Sequence, residues 1–151
     1  MITIRLARLE DAEAMSAVLI ASIAELCAAD HGGDAAAIAE WTANKTPDGV
    51  REMMSNPDTQ FLVAEHDGAI AAVGAYGERT VRLNYVSPAH RFAGVSKALL
   101  SAMERAIGPG EARLEATKTA QQFYRGAGWT AVETSDGFAG ATGFSMRKVL
   151  A

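Results

Sequence analysis

The sequence predicts an α/β protein of the α+β type, with a single mixed, mostly antiparallel sheet flanked by helices. Three observations carry that expectation. Short apolar runs alternate along the whole chain with stretches whose apolar residues recur every three or four positions. Two of the runs, Phe61 to Glu65 and Ile70 to Tyr76, flank His66-Asp67-Gly68, a turn signal that joins antiparallel strands. No internal repeat, low-complexity tract or linker divides the 151 residues, so one domain spanning 1–151 is expected.

The elements follow in order. Ile2, Ile4 and Leu6 alternate as a strand, and Asp11 is placed to cap a helix that buries Met15, Val18, Leu19, Ser22, Ile23 and Leu26. His31-Gly32-Gly33 breaks that helix. A weaker one spans Asp34 to Trp41, and Thr46-Pro47-Asp48 supplies the cap and first-turn proline of a third, carrying Val50, Met53 and Met54 and closed by Asn56-Pro57-Asp58. After the hairpin, a strand from Val81 to Val86 ends at Ser87-Pro88, because proline cannot donate to a sheet ladder. Ala98, Leu99, Ala102, Met103 and Ala106 then take up helical spacing, which Gly108-Pro109-Gly110 stops. Ala112 to Ala116 reads as a strand, and Thr117-Lys118-Thr119 caps a helix with Ala120, Phe123 and Tyr124 that ends at Gly126 and Gly128. Strands at Trp129 to Glu133 and Phe144 to Val149 complete the pattern around a loose segment, Thr134 to Gly143.

Composition narrows the function classes. A chain of this length buries roughly 70% of its unfolded surface, and 49% hydrophobic with 21% charged residues is ordinary for a soluble globular protein. The net charge of -4 disfavours a nucleic-acid surface, which needs a basic patch. Cys27 has no second cysteine to pair with and sits in an apolar helical pattern, so it reads as a buried small residue in a reducing compartment. Met1 to Arg8 lacks a long apolar h-region, and no apolar run approaches ~18 residues. A cytoplasmic protein without a membrane partner is the expectation.

The most informative stretch runs from Val86 to Leu100. Between strand and helix lies Arg91-Phe92-Ala93-Gly94-Val95-Ser96, whose small residues let backbone approach a ligand, and the helix start offers unpaired N–H groups to an anion. Arg91 and Lys97 add positive charge. A P-loop would require G-x-x-x-x-G-K-S/T, which Gly94-Val95-Ser96-Lys97 does not satisfy, and the G-x-G-x-x-G dinucleotide fingerprint is missing. Gly94-Val95-Ser96-Lys97-Ala98 imitates the nucleophile elbow of serine hydrolases, but His31, His66 and His90 all precede Ser96, whereas that triad places histidine last.

With these residues the chain resembles the GNAT family of N-acetyltransferases over nearly its whole length. The family's strand ending V-x-P, followed by R-x-x-G-x-G/A and a helix, reads here as Val86-Ser87-Pro88 and Arg91-Phe92-Ala93-Gly94-Val95-Ser96. Its A-x-x-F-Y-x-x-x-G motif with a following aromatic reads as Ala120-Gln121-Gln122-Phe123-Tyr124-Arg125-Gly126-Ala127-Gly128-Trp129. Two departures stand out: Ser96 replaces the last small residue of the first motif, with a hydroxyl that can donate to phosphate, and Phe92 replaces a small loop residue.

The resemblance implies a GNAT-like acyl-CoA N-acyltransferase fold and acetyl-CoA as co-substrate, with no metal. The pyrophosphate would rest on Arg91, Phe92, Ala93, Gly94, Val95, Ser96 and Lys97, and the pantetheine arm would pair with Asn84, Tyr85 and Val86. Thr117 is either a polar contact to the cofactor or simply a helix cap. Tyr124 would be the general acid that protonates the leaving thiolate. The acceptor would be a primary amine of a small molecule or a peptide N-terminus, bound by about Cys27 to Lys45 and Thr134 to Gly143, and the resemblance allows a homodimer. A non-catalytic CoA-binding domain of the same fold is the alternative. For the general base, Glu78 is the nearest carboxylate to the motif strand, with Glu25, Asp30, His31 or a water chain as other candidates. Trp41 lines the acceptor pocket or packs in the core. The histidines have no zinc-site spacing with Cys27.

Overall fold

Phe61, Leu62, Val63 and Ala64 are four consecutive buried residues, so the strand that carries them is covered on both faces. Phe61 and Val63 pack toward one layer of helices, and Leu62 and Ala64 toward the other. The computed structural model describes residues 1–136 and 142–151. Its element order is β1 (Ile2–Leu6), α1 (Ala12–Leu26), α2 (Ala28–His31), α3 (Ala35–Thr42), α4 (Pro47–Met54), β2 (Gln60–His66), β3 (Ala69–Gly77), β4 (Thr80–Val86), α5 (Val95–Ile107), β5 (Gly110–Ala116), α6 (Gln121–Gly126), β6 (Thr130–Asp136) and β7 (Thr142–Leu150).

The seven strands form one sheet in the order β1-β2-β3-β4-β5-β7-β6. Every neighbouring pair is antiparallel except β4 and β5, which run parallel because α5 crosses between them. Helices α1 and α4 cover one face through Met15, Leu19 and Val50. Helix α5 covers the other through Val95, Leu99, Leu100 and Met103, with Tyr124 and Trp129 beside them. It sits close to β3: a Cβ added at Gly74 would lie 3.0 Å from Met103 Sδ.

Local chemistry accounts for the element ends. Asp67 and Gly68 both take positive φ, at 54° and 79°, as the two-residue hairpin turn between β2 and β3 requires. Thr46 caps α4 by accepting the Gly49 N–H at 3.1 Å, and Asp34 caps α3. Asp11 does not cap α1: its carboxylate accepts the Arg8 N–H at 2.7 Å and pairs with Arg5 at 2.8 Å. That pairing holds the Asp11 carboxyl below the usual carboxylate range.

The first helix also ends before His31-Gly32-Gly33, at Cys27, and resumes as the single turn α2, which Gly32 closes with a φ of 63°. The His31 ring stabilises the break by hydrogen-bonding the Ile23 carbonyl at 2.7 Å, an acceptor the interrupted helix leaves spare. Strands β6 and β7 reach into the segment expected to be loose, as far as Asp136 and from Thr142. The remainder of that segment, 137–141, lies outside the described residues. Among the described residues no helix is long and apolar enough to cross a membrane.

Candidate active site

The site is made by a fault in the sheet. Strand β4 pairs with β5 only at Thr80↔Arg113 and Val81↔Leu114, while on its other side it stays paired with β3 as far as Val86. The β3–β4 register slips by one residue, with Tyr76 opposite Val81 and Ala75 opposite Leu83, so Arg82 is an extra residue in β4. Such a bulge bends its strand, and from Arg82 onward β4 and β5 are splayed.

A cleft of about 340 Å³ occupies the splay, walled by the start of α5 and also by Ser22, Leu26 and Cys27 at the end of α1. Its wall brings together Asn84, Tyr85, Val86, Arg91, Phe92, Gly94, Val95, Ser96, Lys97, Thr117 and Tyr124, eleven residues singled out from sequence. Ala93 is exposed in the same loop and is not part of the wall. At the start of α5, Gly94 takes the left-handed conformation with a φ of 78° and an open space where a Cβ would be. The N–H groups of Val95, Ser96 and Lys97 therefore begin a helix of 13 residues with no preceding turn to receive them.

Further in, both amide atoms of Asn84 are buried, and neither makes a well-formed hydrogen bond within the protein. Anion-seeking N–H groups at one end and an unsatisfied amide at the other fit an extended ligand with phosphates at its head and amides along its arm.

Tyr124 is 6% exposed, with its ring edge-on to Phe123 and Trp129 at centroid distances of 5.2 and 6.3 Å. Burial pushes its phenol up to about 12, against a smaller downward pull from the Asn84 amide. Aromatic packing and a place in the cleft wall thus coexist. Thr117 likewise does two things: its hydroxyl accepts the Ala120 N–H at 3.1 Å, and it lines the cleft.

A second cavity, of about 770 Å³, is lined by α3, α4 and the turn before α4 through Trp41, Asn44, Lys45, Glu52 and Met53, and by Thr142 and Gly143 of β7. It has five residues in common with the cleft: Arg82, Leu83, Tyr85, Glu115 and Thr117. Trp41 both packs, at 2% exposure against Ile23 and Cys27, and borders this cavity. Burial raises the Tyr85 phenol, with a hydrogen bond to Trp41 opposing, and lowers the Lys45 ammonium. It also pushes the Cys27 thiol up to about 12, which leaves a thiol without nucleophilic character.

The base candidates scatter. Glu78 occupies the β3–β4 turn with a φ of 51°, pairs with Arg82 at 3.1 Å and lines neither cavity. Glu25 is exposed on α1 and also lines neither. Both nitrogens of the His31 ring are engaged, one with the Ile23 carbonyl and the other accepting the Gly33 N–H at 2.9 Å. Asp30 borders the second cavity, but its oxygens accept the N–H groups of Lys118 and Thr119. His66 ends β2 and faces His90, Nδ1 to Nδ1 at 3.0 Å.

Sequence reasoning passed over Glu115 and Arg82. The alternation Ala112, Leu114, Ala116 in the core had already put Glu115 on the opposite face of β5. The bulge at Arg82 left no sign in the sequence.

The sheet is thus splayed at its one parallel joint, with the start of a helix at the mouth of the cleft. A family model for the acetyltransferase (GNAT) domain matches residues 27–150, and the chain belongs to that family. No curated protein sequence matches the chain closely enough to count as a relative. Among solved structures, a GCN5-related N-acetyltransferase from Rhodopseudomonas palustris superposes with a TM-score of 0.87 at 22% identity, covering 98% of this chain and 95% of that one. PaiA N-acetyltransferase from Thermoplasma acidophilum, solved in complex with coenzyme A, gives 0.75 at 21% identity with 99% of each chain covered. The apo form of YjaB from Escherichia coli gives 0.74 at 19%, covering 100% and 99%. At these identities the likeness is one of fold.

Proposed function

We propose that the protein is an N-acetyltransferase that moves an acetyl group from acetyl-CoA to the primary amine of a small molecule or a peptide N-terminus. The observation that supports this best is the cleft itself, which joins the open start of α5, the buried Asn84 amide and the Tyr124 phenol in one wall.

In this reading the Val95, Ser96 and Lys97 N–H groups hold the pyrophosphate, with Arg91 and Lys97 adding charge. The splayed edge of β4, at Asn84, Tyr85 and Val86, binds the amide-bearing arm as a neighbouring strand would. Bound acetyl-CoA supplies the activated acetyl group. A backbone N–H of β4 stabilises the oxyanion of the tetrahedral intermediate. Tyr124 gives its proton to the departing thiolate, and a phenol kept protonated by burial is suited to that task at neutral pH. The second cavity takes the amine.

An amine-panel assay that follows free CoA thiol tests the reading. Turnover by the wild type, reduced by Tyr124→Phe on the order of 10² or more without a change in melting temperature, is the expected result. Tight CoA binding with no turnover across the panel would instead make the protein a CoA-binding module, and undiminished turnover in Tyr124→Phe would remove Tyr124 from the chemistry.

A further inference from the structure

We propose that Glu115 is the general base that removes a proton from the incoming amine; the inference rests on the transferase reading above. Glu115 is the first residue of β5 beyond the last rung that joins β5 to β4, so it stands where the splay opens. Among the described residues, five border both cavities, and Glu115 is the only carboxylate of the five.

Its direction is fixed by the strand. Ala112, Leu114 and Ala116 point into the core beneath α5, together with Tyr124, so Glu115 projects from the opposite face, toward the second cavity. Base and acid therefore sit on opposite faces of the sheet, with the gap between β4 and β5 separating them. The Glu115 side chain is steadied from its antiparallel partner: the Ser145 hydroxyl donates to Oε2 at 2.9 Å, across the Glu115↔Ser145 pair. None of the other carboxylates bordering the second cavity has this position. Asp30 is committed to the turn at 118 and 119, and Glu52, on α4, does not border the cleft.

The proton balance is simple. An alkylammonium arriving through the second cavity gives one proton to the Glu115 carboxylate, which later passes it to solvent. The neutral amine forms the C–N bond on the face of Glu115, and the C–S bond breaks on the face of Tyr124. The Tyr124 proton goes to the thiolate, and the phenolate is restored by the second proton of the nitrogen.

The test compares two nucleophiles on Glu115→Gln, an isosteric change that preserves the contact with Ser145. One is the alkylamine that the panel finds to be turned over, ionised at neutral pH. The other is hydroxylamine, which is neutral there and needs no base. For the alkylamine, kcat/KM should fall on the order of 10²-fold at pH 7, with the deficit shrinking as pH rises. For hydroxylamine the variant should keep a rate close to that of the wild type, and its affinity for acetyl-CoA, read by calorimetry, should be unchanged. Glu115→Asp should recover part of the alkylamine rate, and it carries the test if the glutamine variant does not fold. An equal loss for both nucleophiles, or no loss for either, overturns the assignment. Absence of wild-type turnover with every amine would instead overturn the transferase reading, so the two failures are distinct.

Discussion

Asp30 Oδ1 accepts the backbone N–H of Lys118 at 2.6 Å although the two residues lie 88 positions apart. The other carboxylate oxygen takes the N–H and the hydroxyl of Thr119. A single turn of helix, α2, is thereby tied to the turn that carries Thr117 into the walls of both cavities.

Asp30→Ala cuts this tie. The expected cost in stability is about 1 to 2 kcal/mol, at the lower end for hydrogen bonds to a charged group because the pair is exposed. The larger effect should fall on the site, as a raised KM for acetyl-CoA once Thr117 loses its support. A melting curve and steady-state kinetics on the same sample check both, and a variant with wild-type KM would show that the turn holds itself in place.

Alkaline pH should destabilise the fold through Tyr124. The folded protein keeps that phenol protonated to about 12, whereas the unfolded chain releases the proton from about 10 upward. Between those values the unfolded state binds fewer protons than the native one, so stability falls as pH rises. It is complete below pH ~10 and lost through the folded value, a difference worth about 3 kcal/mol for two pH units. The Cys27 thiol, also raised by burial to about 12, acts in the same direction. Thermal melts from pH 8 upward should show the decline, and Tyr124→Phe should make it shallower. An identical slope in the variant would trace the loss to other groups.

Phe92 is 91% exposed and holds a φ of 65° in the loop before α5, with the Arg91 guanidinium 4.5 Å above its ring. A side chain in the left-handed region costs about 1 to 2 kcal/mol, and little burial is at stake here. Phe92→Gly should therefore be more stable than Phe92→Ala by about 0.5 to 1 kcal/mol, the reverse of the usual order of the two residues. Chemical denaturation of both variants decides it, and an alanine variant as stable as the glycine one would mean that the loop carries no such strain.

The sequence was most legible where one local rule sufficed. His66-Asp67-Gly68 and Thr46-Pro47 each announce a turn or cap that depends on neighbouring residues alone, and both hold. Asp11 misled because its partners, Arg5 and the Arg8 amide, compete for the same oxygens a helix cap would use. Glu78 misled because closeness along the chain to β4 is not closeness to the splay: the turn it occupies is at the paired end of the strand. There the Arg79 guanidinium donates to the carbonyls of Ile107, Gly108, Pro109 and Glu111. The cleft wall was readable from two motifs, whereas the second cavity is assembled from α3, α4, β5 and β7, which no local pattern brings together.

The splay between β4 and β5 has a mechanical consequence. Two cavities meet at the same five residues where the strands part. A molecule joining two such occupants covalently would lie between the strands like a key in an open slot. Because no rung closes the gap beyond Val81↔Leu114, a bisubstrate adduct of this kind could enter and leave sideways with the sheet pairing intact.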